Sequence, residues 1–437
     1  MSHASTAGPL QAGLHHVIIG AGAAGVTAAE TLRHLDAKAK ISLLDGEGEP
    51  PYARMAIPYL LAGQIEEEGV RIRRDLDHYA KLGIDLVRQR AQAVDATARS
   101  VTLADKQLLS YDRLLIATGS MPNREPVPGI DLPGVHTCWT LADARAIIAQ
   151  VRRGTRVVQM GAGFVGCIIL HGLLARGADL TVLIRSGRMV SRMMPPAASE
   201  MIQRWCESRG VKVMGRTQTA RIEQAGAELR VTLTSGEVLP ADLYLSVVGV
   251  SPTLDFLRGS GIAIETGIVV DDAMRTSLSD VYAAGDVVEA RDCVSGRSQI
   301  NAIQPNAVEQ GRIAAHNMVG QSTESGGSFA CNVLDTLGLI SSSFGQWEGV
   351  KGGENIVLAD ESRFLYLSLQ FQDDRLIGAS SVGYTEHVGA LRGLIQGRHH
   401  LGHWKDVLLA NPARFVEAYL ALVEHRELFT HAISRPS

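Results

Sequence analysis

Two glycine-rich turns of the same kind occur far apart in this chain of 437 residues, and they constrain its fold more than any other feature. The first reads Val17-Ile18-Ile19-Gly20-Ala21-Gly22-Ala23-Ala24-Gly25. The second reads Val157-Val158-Gln159-Met160-Gly161-Ala162-Gly163-Phe164-Val165-Gly166. Each is an apolar strand pattern that leads into the spacing G-x-G-x-x-G and then into a helix-forming stretch. The sequence therefore predicts a strand, a tight turn and a helix twice over.

The three glycines of such a turn have separate physical purposes. The first permits the tight strand-to-helix turn, the second lets the backbone approach a pyrophosphate, and the third lets the helix pack closely on the strand. The unpaired N–H groups and the positive end of the helix dipole at the start of the helix stabilise bound phosphates. One such motif is weak evidence, but two in one chain predict two bound dinucleotides, most simply a flavin and a nicotinamide.

Composition and charge narrow the class of protein. Hydrophobic residues make up 46% of the chain, charged residues 20%, and the net charge is −4, which is typical of a globular protein without a nucleic-acid or membrane-surface footprint. No apolar run is long enough to span a bilayer, and the first eight residues lack the pattern of a secretory signal, so we expect a cytoplasmic protein. The five cysteines form no C-x-x-C pair, and no metal site is expected.

Strand and helix patterns alternate in both halves of the chain, which predicts parallel sheets covered by helices. Residues 41–44 form the second predicted strand, which ends at Asp45, at the distance from the first turn where a carboxylate can bind a ribose hydroxyl. Further strands are predicted at 114–116, 180–184, 243–248 and 281–284, with helices at 141–151 and 304–318. His15 and His16 begin a strand and are expected to be exposed.

The last hundred or so residues carry no glycine turn and differ in pattern. Phe364 to Gln372, the turn Asp373-Asp374 and Leu376 to Ala379 predict an antiparallel hairpin, followed by helices at 387–396 and 412–425. His399, His400 and His403 are interpreted as solvated or interface residues, because no acidic or cysteine cluster accompanies them. Such a unit is typical of a cap that contacts a second subunit.

Over nearly its whole length the chain resembles a known family, the flavoprotein pyridine nucleotide–disulfide oxidoreductases. The nearest branch holds NADH oxidases, coenzyme A-disulfide reductases, rubredoxin and ferredoxin reductases and the flavin part of nitrite reductases. Five features match in order: the first turn, Ala117-Thr118-Gly119, the second turn, Val248-Gly249-Val250 and Ala284-Gly285-Asp286. The resemblance implies two doubly wound α/β domains and a C-terminal α+β interface domain. In that arrangement, residues 1–122 and 249–320 would form the FAD-binding domain, residues 123–248 the NAD(P)H-binding domain and residues 321–437 the domain of a homodimer interface.

The resemblance also implies a set of FAD contacts. The first turn would hold the pyrophosphate, Asp45 the adenosine ribose, the backbone near Ala91 the adenine and Asp286 the ribityl chain, while the helix that begins near Pro305 would point its N-terminus at the flavin ring. The expected flavin-side residues are Gly20, Gly22, Ala23, Ala24, Gly25, Asp45, Arg54, Ala91, Ala117, Thr118, Gly119, Gly285, Asp286, Gln304 and Pro305.

The segment from Pro51 to Tyr59 resembles the part of the family that passes over the flavin. In the thiol-using members a redox cysteine occupies the position of Met55, and methionine forms neither a thiolate nor a mixed disulfide. The resemblance therefore argues against a disulfide reductase, a peroxidase or a water-forming oxidase of the cysteine type. Arg54 is interpreted in two ways: it lies near the flavin and phosphates as in the thiol-free members, or it is a surface arginine with a carboxylate partner.

The second turn departs from the family pattern in two places. The expected nicotinamide contacts are Gly161, Gly163, Phe164, Val165, Gly166 and Arg185, with Gly249 as a further cofactor contact. Ile184 replaces the acid typical of NAD sites and Arg185 and Arg188 follow it, which favours NADPH, although both arginines are open to a purely solvated interpretation. Ile168 replaces a glutamate that faces the nicotinamide in relatives.

Together these features predict an FAD-dependent oxidoreductase without a catalytic side chain of its own. NADH or NADPH would reduce the flavin, and a small redox protein or a partner enzyme subunit would accept the electrons. Two alternatives stay open at this level: a flavin-bearing interaction module with a degenerate nicotinamide site, and an oxidase that reduces oxygen to peroxide. A colourless protein that cannot be reconstituted with flavin would refute the main hypothesis.

Overall fold

The structure is a computed structural model and describes residues 13–423. By backbone packing the chain divides into two compact units. The first unit holds the N-terminal segment to Pro122 together with Val250–Ser328, and the second holds Asn123–Gly249 together with the segment from Phe329 onward. The predicted domain boundaries are not tested by this division and stay a prediction.

The first unit begins with a strand, a glycine turn and a helix. Its elements up to Pro122 are β1 (His15–Ile19), α1 (Ala23–Leu35), β2 (Lys40–Leu44), α2 (Ile57–Leu61), α3 (His78–Lys81), β3 (Ile84–Val87), β4 (Ala91–Asp95), β5 (Ser100–Leu103), β6 (Leu108–Ser110), β7 (Arg113–Ile116) and β8 (Ser120–Pro122). The apolar residues of β1, β2 and β7 are buried almost completely, as expected for strands covered on both faces.

The second unit opens with a similar plan. Its elements up to Gly249 are β9 (Val135–His136), α4 (Leu141–Gln150), β10 (Arg156–Met160), α5 (Phe164–Ile168), α6 (Leu170–Ala175), β11 (Asp179–Ile184), α7 (Pro196–Glu207), β12 (Lys212–Gly215), β13 (Thr219–Ala225), β14 (Glu228–Leu233), β15 (Val238–Ala241) and β16 (Leu243–Ser246). Helix α4 begins where Thr140 and Asp143 form a reciprocal capping box.

The chain then returns to the first unit. The elements of this return are β17 (Val250–Pro252), β18 (Ile268–Val269), β19 (Val281–Ala283), β20 (Val288–Arg291), β21 (Ser298–Gln299) and α8 (Gln304–Met318). Strand β19 pairs with β7, which gives a five-stranded parallel sheet in the order β19-β7-β1-β2-β3. Helix α8 starts at Gln304 with proline in its first turn, where a missing N–H costs nothing.

A second parallel sheet lies in the second unit, in the order β12-β11-β10-β16-β9. The C-terminal part of that unit is different: β22 (Cys331–Thr336), β23 (Leu339–Gly345), β24 (Glu354–Asp360), β25 (Leu365–Gln372), β26 (Arg375–Val382), α9 (Val388–Gln396), α10 (His403–Ala410) and helical residues 415–423. Its five strands form an antiparallel sheet in the order β22-β23-β26-β25-β24. The predicted α/β class is confirmed, and the predicted hairpin is β25–β26.

Some expectations need qualification. His16 is expected to be exposed, but its exposed fraction is 0% because β1 lies in the middle of the sheet, between β2 and β7. His403 begins α10, whereas His399 and His400 precede it. The last two residues of the helix predicted at 412–425 lie outside the described residues. Within residues 13–423 no helix is long and apolar enough to cross a membrane, and no three potential ligands cluster around a metal position.

Candidate flavin and nicotinamide sites

The first glycine turn lies at the carboxyl ends of β1, β2 and β7, inside the first unit. A Cβ atom on Gly20 would lie 2.3 Å from the carbonyl oxygen of Ala117, and one on Gly25 would lie 1.9 Å from the carbonyl oxygen of Gly20. Gly20 also has a φ of +111°, which L side chains rarely adopt. A Cβ atom on Gly22 would meet no protein atom within 4 Å. The turn therefore packs tightly on its protein side and is open above Gly22.

The open side of the turn offers backbone donors. Gly22 is the residue before the first turn of α1, and no side chain caps that helix end. An uncapped helix of 13 residues leaves N–H groups unpaired and favours an anion there. This arrangement fits the pyrophosphate of a dinucleotide, as the spacing predicts.

Asp45 follows β2 directly and has an unsatisfied oxygen. Its side chain is 7% exposed; Oδ1 accepts a hydrogen bond from the Glu47 N–H at 3.1 Å, while Oδ2 is buried without a hydrogen-bond partner. Burial raises the pKa of Asp45, and the Glu47 N–H opposes that rise. A buried carboxylate oxygen without a donor is costly, so this site fits a ligand hydroxyl such as that of a ribose.

We expect Asp45→Ala to weaken FAD binding about tenfold or more, because a hydrogen bond to a charged group contributes roughly 1.5–3 kcal/mol. The dissociation constant of FAD for the apoprotein, followed by quenching of flavin fluorescence, measures the effect. Asp105→Ala is the matched control, because Asp105 is an exposed turn residue of the same unit whose Oδ1 accepts a hydrogen bond from the Gln107 N–H. Equal affinities of the two variants would contradict the assignment of Asp45 to the ribose.

The remaining flavin-side residues lie around this turn. Gly285 would bring a Cβ to 3.3 Å from Ala24, and its N–H donates to Gln310 Oε1 at 2.9 Å. Asp286 accepts a long hydrogen bond, 3.5 Å, from the Ser120 hydroxyl. Burial raises the pKa of Asp286, and both Ser120 and the nearby Arg54 charge oppose that rise. The first unit thus brings the α1 and α8 parts of the predicted site together.

The other predicted flavin contacts are placed as follows. Thr118 Oγ1 donates to the Thr253 carbonyl, and Gly119 adopts a φ of +63° with open space where a Cβ would lie. Ala91 begins β4 and is buried, and the preceding Arg90 lies against Gly46, one residue past Asp45. The residues predicted to contact the adenine and the ribose therefore lie close to each other, and the role of each residue stays a prediction.

Arg54 has a carboxylate partner. It forms an ion pair with Glu47 and donates to the Tyr52 hydroxyl at 2.9 Å, and that hydroxyl donates to Glu47 Oε2 at 2.5 Å. These contacts agree with a structural role. The electrostatic influence of Arg54 on Asp286 also agrees with a place near the flavin side, so both interpretations of Arg54 stay open.

The second glycine turn repeats the first within the second unit. Gly161 has a φ of +107°, and a Cβ atom there would lie 2.3 Å from the Val247 carbonyl oxygen. A Cβ atom on Gly166 would lie 2.5 Å from the carbonyl oxygen of Gly161, whereas Gly163 faces open space. Phe164 and Val165 follow in the first turn of α5. Gly249, past the end of β16, has a φ of +105° and accepts a backbone hydrogen bond from Asn123.

Arginines gather at the carboxyl ends of β11 and β12. Ile184 ends β11 and is buried, and Arg185 after it is exposed and makes no hydrogen bond or ion pair with any residue in the described part of the chain. The Thr217 N–H donates to the Ile184 carbonyl, which joins the two strand ends. Arg216 Cγ lies 3.0 Å from where a Gly187 Cβ would be. The arginines thus place positive charge at the carboxyl ends of these strands, where the ribose of a nucleotide is expected.

Sequence reasoning did not identify two polar contacts beneath the turns. Gln159 lies in β10, fully buried, and its amide contacts the second turn. Gln310 of α8 holds the N–H of Gly285. The signal for Gln159 was present, because it is a polar residue in an otherwise apolar strand that the sequence predicts to be buried. Gln310 carries no such signal.

Comparisons with known proteins identify the family of the chain. A model of the family described as pyridine nucleotide-disulphide oxidoreductase matches residues 14–311. The chain is 32% identical over 401 residues to the NADH-dependent phenylglyoxylate dehydrogenase subunit epsilon of Aromatoleum evansii, covering 91% of this chain and 95% of that one. It is 35% identical over 311 residues to a probable ferredoxin reductase of Castellaniella defragrans, covering 70% and 75%.

A solved structure shows the same fold. The chain superimposes on one from the crystal structure of the covalent putidaredoxin reductase–putidaredoxin complex with a TM-score of 0.86 and 25% identity, covering 94% of this chain and 99% of that one. The predicted family, enzyme class and cofactors are confirmed by these matches. The chain belongs to the pyridine nucleotide–disulphide oxidoreductase family and is an oxidoreductase that works with FAD and a nicotinamide nucleotide.

Proposed function

We propose that this chain passes electrons from NADH or NADPH, by way of FAD, to a separate redox protein, and that no sulfur atom of the chain takes part. The observation that carries the proposal is Met55, 47% exposed in the segment Arg54–Ala56, at the position where the family resemblance places the redox cysteine of thiol-using members. All five cysteines are free of disulfides, and four of them are buried. Burial raises the pKa of Cys138 and Cys206 to about 12 and also raises that of Cys167, so these thiols do not supply a thiolate.

The side chains of the chain bind and orient rather than react. In this proposal the two glycine turns offer backbone N–H groups to two pyrophosphates and Asp45 offers a carboxylate oxygen to a ribose. The positive N-terminal end of α8 would stabilise the flavin ring, as the resemblance implies. A flavin, when bound, supplies the hydride acceptor and the release of electrons to a partner. Positioning of this kind is the main contribution that a protein makes to cofactor chemistry.

The nature of the acceptor is supported by the relatives. One is named a probable ferredoxin reductase, another a rubredoxin-NAD(+) reductase of Pseudomonas putida, and the matching solved structure is a complex with putidaredoxin. We therefore propose a small redox protein as acceptor. The relative from Aromatoleum evansii is named as a subunit, which supports a partner enzyme subunit as the second candidate. A homodimer, a cytoplasmic location and the absence of nucleic-acid partners stay predictions.

Stopped-flow mixing without oxygen tests the proposal. The flavin absorbance near 450 nm should bleach with NADH or NADPH and should recover when an oxidised ferredoxin or rubredoxin is added, with a disulfide substrate as the negative control. No bleaching with either nucleotide would refute the proposal and would favour a flavin-bearing binding protein. Rapid oxygen uptake without any carrier would favour a peroxide-forming oxidase, and co-purification of a stable partner would favour the subunit role.

We expect Arg185→Asp to lower the ratio of kcat/KM for NADPH to that for NADH by about tenfold or more, because a charge-assisted contact to a 2′-phosphate is lost and a repulsion is gained. Flavin reduction rates with both nucleotides measure the ratio. Arg176→Asp in the same unit is the control for the change of charge. Arg176 lies at the end of α6, near the amino end of β11, whereas Arg185 follows the carboxyl end of that strand. An unchanged ratio would mean that Arg185 is merely solvated.

A further inference from the structure

The side-chain amide of Gln159 is hydrogen-bonded to both ends of the second glycine turn. Gln159 is the penultimate residue of β10, and its exposed fraction is 0%. Its Nε2 atom donates one hydrogen bond to the carbonyl oxygen of Gly161 and one to that of Gly166, each at 2.9 Å. These are the first and the third glycine of the turn. Both hydrogens of the amide are therefore committed to the backbone that shapes this site.

The first turn of the same chain shows that the fold does not require this amide. Ile18 has the matching position, two residues before Gly20, and a Cβ atom on Gly25 would lie 3.3 Å from its Cγ2. In the second turn a Cβ atom on Gly166 would lie 3.2 Å from Gln159 Nε2. An aliphatic side chain thus supports one turn and an amide supports the other. The strand, turn and helix form over either.

The amide also carries a cost that isoleucine does not. Gln159 Oε1 is buried and has no hydrogen-bond partner among the described residues. An unsatisfied buried polar atom is unfavourable, so a residue that only filled space beneath the turn would be better apolar. The two hydrogen bonds that Nε2 donates to Gly161 and Gly166 offset the cost of the unsatisfied Oε1.

Those bonds fix the direction of a free backbone donor. A trans peptide is planar, so its C=O and N–H point in opposite directions. The Gly161 carbonyl points toward Gln159, because its oxygen accepts a hydrogen bond from the Gln159 amide. The N–H of Ala162 belongs to the same peptide and is therefore directed away from Gln159. Within residues 13–423, this N–H donates to no other residue, and Gly163 next to it faces open space.

We propose that Gln159 is a positioning residue for the nicotinamide nucleotide: its amide sets the direction of the backbone donors that bind the pyrophosphate. This inference rests on the proposed function, because it assumes that the second turn holds NADH or NADPH. Gln159 does not contact the nucleotide itself. Its effect should therefore appear in the affinity for the pyrophosphate and not in the chemistry of the flavin.

The test uses two variants of the FAD-loaded protein. Gln159→Ile copies the first turn, and Gln159→Met keeps the length of the side chain without its donors. Calorimetric titration with ADP-ribose, which carries the pyrophosphate but no nicotinamide, should show about tenfold weaker binding, because two hydrogen bonds that hold the backbone of the turn are lost. AMP, which lacks the pyrophosphate, should lose much less. The KM for NADH or NADPH should rise while the flavin reduction rate at saturation is retained.

Gln370→Met is the matched control, because Gln370 is another buried glutamine of the second unit, and its Nε2 donates to Ser368 in the C-terminal sheet. It should leave the affinity for ADP-ribose unchanged. An unchanged affinity in both Gln159 variants would overturn the inference and leave the proposed function intact. Failure of the wild-type protein to bind ADP-ribose or to be reduced would refute both.

Two further outcomes would also overturn the inference. Equal losses of ADP-ribose and AMP affinity with a lowered melting temperature would show that the amide only stabilises the fold. Failure of both Gln159 variants to fold would contradict the comparison with Ile18, on which the inference depends.

Discussion

Gly25→Ala is expected to yield protein without bound flavin, whereas Gly166→Ala is expected to yield yellow protein whose flavin a nicotinamide nucleotide no longer reduces. The added methyl group would lie 1.9 Å from the Gly20 carbonyl oxygen in the first turn and 2.5 Å from the Gly161 carbonyl oxygen in the second. Both neighbours are backbone atoms, so no side-chain rotation relieves the overlap. Alanine itself is compatible with the helical backbone at both positions. The damage therefore falls on the geometry of each turn.

The ratio of flavin absorbance to protein absorbance measures the first effect, and stopped-flow reduction by NADH and NADPH measures the second. We expect at least about a tenfold loss in each, since overpacking against rigid atoms typically costs 1–3 kcal/mol or more. Gly389→Ala in α9 is the control, because a Cβ there would meet no atom within 4 Å. A yellow Gly25→Ala protein that is reduced like the wild type would contradict the assignment of the first turn to FAD.

The two turns were predictable because glycine restricts the backbone locally. The overlaps at Gly25 and Gly166 involve only residues of the same motif, so the spacing alone contains the information. The strands that flank them were predictable for a similar reason, since each is an apolar run that the sheet covers on both faces. The strand ends differ by one or two residues from the prediction, and the helix expected at 141–151 ends at Gln150.

The polar contacts around the turns were not predictable in the same way. Whether Arg54 pairs with Glu47 depends on how the segment after β2 folds back, and the sequence left that open. The position of Asp45 followed from its spacing, but its unsatisfied Oδ2 depends on the packing around it. Gln159 was visible in the sequence as a polar residue in an apolar strand, but its hydrogen bonds to the Gly161 and Gly166 carbonyls depend on the side-chain conformation, which the strand pattern does not contain.

His16 shows how strand order decides burial. The beginning of a strand is often exposed, and two adjacent histidines favour that interpretation. The sheet order places β1 between β7 and β2, and His16 pairs in register with Ile41 on one side and Arg113 on the other. Its exposed fraction is 0%, and both ring nitrogens are buried without a hydrogen-bond partner. A central position in the sheet therefore buries a residue that the local sequence suggested to be exposed.

This burial makes the stability of the first unit depend on pH. Burial lowers the pKa of His16 from 6.5 to about 4, with Arg113 and His15 acting in the same direction and Asp36 and Asp112 opposing it. The folded state thus favours the neutral ring. Its contribution to stability is fully present above pH 6.5 and is lost as the pH falls from 6.5 toward 4, because the unfolded chain binds the proton first. The loss amounts to about 3 kcal/mol, at roughly 1.4 kcal/mol for each unit of pKa difference.

His16→Leu should therefore reduce the loss of stability between pH 7.5 and pH 4.5, because the side chain no longer titrates. Urea unfolding midpoints of both proteins at several pH values measure the change, with the FAD content kept equal. The variant should gain most relative to the wild type near pH 4.5 and least at pH 7.5. His34→Leu on the exposed face of α1 is the control for removal of a histidine as such. Parallel pH profiles of the wild type and His16→Leu would mean that His16 is solvated and that another group governs acid unfolding.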